Sequence, residues 1–298
     1  MLTAHTYNVA GLKLVLLLPQ EFDAGKGLPN FKDFVLGEDA KSAEAALTLK
    51  WVEALTLPED ARLLFTEDSD MGRTSYFSCG RESWFSLDFI GCKALMRVSE
   101  DYRQAIFSID PAAPTSGVLI SSLMRALFAQ IVLLHDGISI HASCVIRDGR
   151  AYMFLGKSGT GKSTHSRLWL NAFPGSELLN DDNPAVRIFP DGPRVFGTPW
   201  SGKLNCWRNV SAPLAGIVRL RQAPFNSFEL LDELQAFSQV YPGCSVLRTD
   251  SFLHDRMCDH LSVLCSSLKV GMMDCLPNIE AAHMCAAGLL EGVLGIIR

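Results

Sequence analysis

Gly156-Lys157-Ser158-Gly159-Thr160-Gly161-Lys162-Ser163 has the spacing G-x-x-x-x-G-K-[ST], with Thr164 next in line. That pattern suits the phosphates of a nucleotide. Glycines let the backbone curl so that successive N–H groups face inward as an anion nest. A helix beginning near Gly161 adds its positive end. Lys162 supplies a mobile cation for the β- and γ-phosphates, and Ser163 a hydroxyl for Mg²⁺. Lys157 is read either over phosphate or as a solvent-facing loop lysine.

Phosphoryl transfer also needs carboxylate for the metal and for the acceptor's proton. Glu177-Leu178-Leu179 leads into Asn180-Asp181-Asp182-Asn183, which puts two adjacent acids at a strand end shortly after the loop helix. Side chains of neighbouring strand residues diverge. One carboxylate can then serve Mg²⁺ and the other an acceptor hydroxyl. His141, at the head of HASCV, is placed to reach Asp181 from a neighbouring strand. Lys203 and Arg208 are the candidates for a further cation that stabilises charge on the moving oxygens.

These residues need elements to hold them. Leu12, Leu14 and Leu16 alternate with Lys13 and Val15, as in a strand. Residues 45–54 read as a strand or a short helix. Between 62 and 110 come several apolar-polar alternations broken by Gly or charge, an antiparallel strand-rich section. After Pro111-Ala-Ala-Pro114, residues 118–134 form a broad helical face. Residues 138–145 and 151–155 read as strands around a hairpin turn at Asp148-Gly149. The loop follows, with a helix over 164–170. Residues 214–220 predict a strand ending in Arg219-Leu220-Arg221. Residues 226–234 predict a helix capped by Asn226 or Ser227. Helix over 250–268, strand over 267–273 and a last helix after Pro277 complete the alternation of an α/β layer. Two regions are expected: 1–115, strand-rich and packed on the core or standing apart, and 116–298, carrying the motif.

The segment from His141 to Val186, HASCVIRDGRAYMFLGKSGTGKSTHSRLW…ELLNDDNPAV, resembles the nucleotide-binding core shared by HPr kinase/phosphorylase and the phosphoenolpyruvate carboxykinases; a looser likeness covers 116–298. GKSGTGKST is similar to the carboxykinase loop, Thr164 included, while the His-led hairpin is closer to the kinases. The resemblance implies an α/β fold with a P-loop core, a mixed sheet and flanking helices, preceded by the strand-rich region. It implies ATP and Mg²⁺ as cofactors, and a multimeric assembly of like chains. Residue by residue it points to His141, Asp181, Asp182 and Ser163. Asp181 is taken as base, supported by His141, and Asp182 as the metal carboxylate beside Ser163.

The 298 residues carry 27 Lys+Arg against 32 Asp+Glu, a net charge of −5. That balance offers no cationic surplus for non-specific nucleic-acid or membrane binding. Nine cysteines without a CxxC pair suit free thiols in a reducing compartment, so a cytoplasmic protein is expected. The leading reading is transfer of the γ-phosphoryl group of ATP to a hydroxyl acceptor, on a protein serine or a small molecule. A nucleotide-binding regulatory or scaffold protein with little turnover is the reading from a different class.

Overall fold

The computed structural model of the chain describes residues 1–37, 44–69, 72–202 and 204–291. It is a mixed α/β protein that divides into two compact units, Met1–Ile131 and Val132–Arg298.

In the first unit the strands are β1 (Leu2–Val9), β2 (Leu12–Pro19), β3 (Leu47–Trp51), β4 (Arg62–Ser69), β5 (Gly72–Cys79), β6 (Glu82–Phe89), β7 (Cys92–Val98) and β8 (Gln104–Ser108). They form one sheet in the order β1-β2-β3-β8-β7-β6-β5-β4. The leucine alternation in β2 does what its period dictates: Leu12, Leu14, Leu16 and Leu18 are all buried. The ambiguous stretch at 45–54 becomes β3, parallel to both β2 and β8. From β4 to β8 every pairing is antiparallel. A short helix α1 (Ala24–Gly27) and the long apolar helix α2 (Ser116–Ile131) complete the unit. The division between units falls after α2 rather than before it, because α2 packs on β3, β6 and β7. Residues Ser116–His135 are long and apolar enough to cross a membrane, yet 67% of that stretch's most apolar window is buried inside the protein.

The second unit contains β9 (Gly137–Ser139), β10 (Ala142–Arg147), β11 (Arg150–Leu155), α3 (Lys162–Ala172), β12 (Glu177–Asp182), β13 (Ala185–Phe189), β14 (Gly192–Phe196), β15 (Ser211–Gln222), β16 (Ser227–Leu230), α4 (Glu233–Val240), α5 (Ser251–Ser267), β17 (Lys269–Cys275) and α6 (Ile279–Glu291). Its sheet runs β12-β10-β11-β15-β14-β13-β9, with β17 also on β15 and β16 on β17. Two parallel pairs, β11 with β15 and β15 with β17, sit at its centre. Phe154, Trp169, Val218, Phe228 and Met273 build the core on one face, where α3 and α6 also pack.

The helix expected over 226–234 is corrected. Residues Ser227–Leu230 pair antiparallel with β17, and the helix begins only at Glu233. Phe228 decides it. Its ring fills the space that Cβ atoms at Gly271 and Gly288 would otherwise occupy, and that burial outweighs local helix propensity. A capping box of Asp232 and Gln235 fixes the true start of α4.

Candidate active site

Strand β11 is buried from Ala151 to Leu155 and delivers the chain into the glycine-rich loop. Gly159 and Gly161 adopt φ of +78° and +102°, a region that L side chains avoid. Thr160 closes a turn, donating through its N–H (3.1 Å) and its hydroxyl (2.7 Å) to Lys157 O. From the end of β15, Gln222 Nε2 donates to Gly159 O at 3.3 Å and Thr160 O at 3.4 Å. These bonds tie the loop to the end of β15. Gly161 is the N-cap of α3 and offers no side-chain acceptor, so the first helical N–H groups meet no capping side chain.

Helix α3 is held by its aromatic face. Trp169 is fully buried against Tyr152, Phe154 and Phe173. Its Nε1 donates to His165 Nε2 at 3.2 Å. His165 is 2% exposed, and burial pushes its pKa down to about 4. Its Nδ1 is buried with no hydrogen-bond partner among the described residues. His165 therefore belongs to the core. On the same helix Ser166 Oγ meets Ser143 Oγ of β10 at 2.6 Å, which fixes α3 against the strand beside β12.

That fixing matters because β12 carries the acid pair. Ser143 pairs with Asp181 and Ala142 with Asp182. The two carboxylates take different partners. Asp181, 3% exposed, accepts from Ser163 Oγ at 3.1 Å. Asp182 Oδ1 lies 3.0 Å from His141 Nδ1, and Asp182 Oδ2 accepts from Asn183 Nδ2 at 2.6 Å. The imidazole thus meets the second carboxylate, not Asp181 as expected. The regular ladder ends at Ala142 and Asp182, and Asp182 takes φ of +148°, so the alternation that aimed His141 at Asp181 no longer holds. His141 itself lies in the break between β9 and β10, its N–H donating to Gly243 O at 2.8 Å.

A polar framework without charge supports the pair. Asn180 Nδ2 donates to Thr198 O at 3.2 Å, Thr198 Oγ1 donates to Asn183 O at 2.7 Å, and Asn183 N–H donates to Asn180 Oδ1 at 3.1 Å. The segment through Ser201 and Gly202 lies against it: Gly202 N–H donates to Asp181 O and Ser201 bridges Asp182. Asn180, Asn183 and Thr198 were not singled out from sequence, although the two asparagines flank the acids.

Lys162 Nζ donates to Gly156 O at 3.1 Å and to Lys157 O at 3.5 Å. Burial pushes its pKa below the ordinary lysine value and nearby Arg219 acts the same way, while the carboxylates of Asp182 and Asp181 oppose the shift. The loop cation and both acids therefore share one electrostatic neighbourhood. The side chains of Lys157 and Ser158 are exposed. Arg208 is not brought to this group. It donates to Leu178 O at 2.7 Å and to Glu177 Oε2 at 2.5 Å, at the opposite end of β12 from Asp182, on the order of 16 Å along the strand. An open cleft of about 640 Å³ near Leu170, Leu178, Cys206 and Arg208 lies at that far end too. Lys203 lies outside the described residues.

Ser163 Oγ and Asp181 Oδ2 are hard oxygen donors at bonding distance from each other, and they fit Mg²⁺, which takes few protein ligands and fills its shell with water and phosphate oxygen. Among the described residues no three His, Cys, Asp or Glu side chains gather into an all-protein metal cage. Chemically, the arrangement offers amides and a lysine to a polyanion, oxygen donors to a divalent cation, and a histidine-backed carboxylate to a proton. No family model and no curated protein matches the chain.

Proposed function

We propose that this chain is an ATP- and Mg²⁺-dependent phosphotransferase that moves the γ-phosphoryl group to a hydroxyl, with a nucleotide-binding core of the HPr kinase/carboxykinase type. The reading is carried by the 3.1 Å hydrogen bond from Ser163 to Asp181, which joins the glycine-rich loop to the acid pair. In this reading the glycine-rich loop and Lys162 bind the phosphates, and the uncapped start of α3 adds its free N–H groups and dipole. Ser163 and Asp181 hold the metal, whose chemistry is to neutralise charge on the phosphate oxygens. Asp182 accepts the acceptor's proton, with His141 stabilising and orienting its Oδ1 and Asn183 its Oδ2. The roles first given to the two acids are thereby exchanged. Gly202 and Ser201 lie against the backbone of both acids and hold them in place. The acceptor's class is a hydroxyl, on a protein serine or a small molecule; the nine free cysteines and the acidic balance suit work in the cytoplasm, without nucleic acid or membrane as partner.

The test is phosphorus NMR of ATP, Mg²⁺ and a panel of serine peptides and small hydroxyl compounds. Wild type should form a phosphate ester. Asp182→Asn should lower kcat by roughly 10²- to 10⁴-fold and leave nucleotide affinity within a few-fold. Asp181→Asn should instead raise the Mg²⁺ concentration needed for half-maximal rate. Full activity in Asp182→Asn removes its role as base. ATP binding without transfer to any acceptor moves the chain to the regulatory class.

A further inference from the structure

Arg219 occupies β15 in direct register with Leu155, the last strand residue before the glycine-rich loop. Gly156 follows Leu155, and its carbonyl receives Lys162 Nζ. Neighbouring strands are about 4.8 Å apart, so Arg219 rises beside the strand end that feeds the glycine-rich loop. Arg219 points away from the aromatic core, which takes Val218 and Leu220 on either side of it. It shares the face of Leu155, where Gly243, the residue bonded to His141, also packs.

Arg73, Arg208 and Arg221 each pair with a carboxylate. Among the described residues no carboxylate pairs with Arg219, although it is half-buried. Among the described residues its guanidinium makes one hydrogen bond, a long one, Nη1 to Gln239 O at 3.4 Å, near the end of α4. Burial pushes its pKa below the ordinary guanidinium value and no acid opposes the shift, while its charge acts against that of Lys162. Two half-buried cations within electrostatic reach of each other are favoured when an anion joins them, and a planar guanidinium is suited to phosphate oxygens.

We propose that Arg219 is a second phosphate-binding cation of the nucleotide site, contacting the terminal phosphate of a bound nucleoside triphosphate beside Lys162. This rests on the phosphotransferase reading and deepens it, filling the place first given to Lys203 and Arg208. The competing role is structural: Arg219 at the end of α4 serves only the carbonyl of Gln239.

Equilibrium binding of fluorescent ADP and of a fluorescent non-hydrolysable ATP analogue, with Mg²⁺, separates the two. Arg219→Met should weaken the triphosphate analogue about 10- to 100-fold, the scale of a lost charged hydrogen bond, and ADP by less than about 3-fold. Arg219→Lys, which keeps charge without the fork, should fall between wild type and Arg219→Met for the triphosphate; it carries the test if Arg219→Met does not fold. Equal losses for both nucleotides, or none, overturn the proposal and leave the capping role, which a lowered melting temperature would register. If wild type binds neither nucleotide, the parent reading fails as well. Wild-type binding with unchanged Arg219 variants overturns only the role of Arg219.

Discussion

Asp182 is held from every side that the site offers: His141 on one oxygen, Asn183 on the other, and a backbone φ of +148° that an L residue rarely adopts. Such conformations cost of order 1–3 kcal/mol and persist where the surroundings over-determine them. Asn183→Ala removes the tie on Oδ2, and kcat should drop by about 10-fold with the KM for ATP nearly unchanged, a split that steady-state kinetics reads. His165 gives a second prediction at this scale. Its folded pKa of about 4 lies below the ordinary 6.5, because burial disfavours the imidazolium. Between pH 6.5 and 4 the unfolded chain takes up a proton that the folded chain refuses, so stability is present above that window and falls as pH drops through it. The loss is about 3 kcal/mol at most. Thermal melts should show that decline in wild type and a flatter one in His165→Leu. The loop, both acids and His141 were legible as residues because their spacing is local. Which acid meets the imidazole was not, because that depends on pairing 142 with 182 and on where the ladder stops.

Helix α3 starts where Gly161 can turn at φ +102° with no capping side chain. Gly161→Ala forces an L residue into that turn, at a cost of about 1–2 kcal/mol. Urea unfolding should register this, together with weaker nucleotide binding, because the amides at the helix start move with it. Gly288→Ala acts on another element. Its Cβ would overlap the ring of Phe228, so β16 must shift or the ring must leave the core, and about 1–3 kcal/mol should be lost in the same assay. An unchanged midpoint would mean that the ring is not held as described. Strand β16 was missed because Ser-Phe-Glu-Leu fits either a first helical turn or a short strand, and the glycines that admit Phe228 lie more than forty residues on, at 271 and 288. The Asp232-x-x-Gln235 spacing was a readable sign that the helix begins later.

At the scale of the chain, every residue assigned to nucleotide chemistry lies in the unit Val132–Arg298. Hydrogen exchange on adding Mg²⁺ and an ATP analogue should therefore slow at amides of 156–164 and 180–183, with 1–131 unchanged; protection centred on 1–131 would contradict the assignment. The alternation of strand and helix was enough to read an α/β layer, but the unit boundary was not legible, since α2 follows a proline-rich break yet packs on the strands before it. The most direct measurement is calorimetric titration of Mg²⁺ and a non-hydrolysable ATP analogue into the full chain and into Lys162→Met. Wild type should bind, and the variant should lose about 100-fold or more in affinity, roughly 2.7 kcal/mol. Equal affinity in the two proteins, or no binding in wild type, would contradict the account.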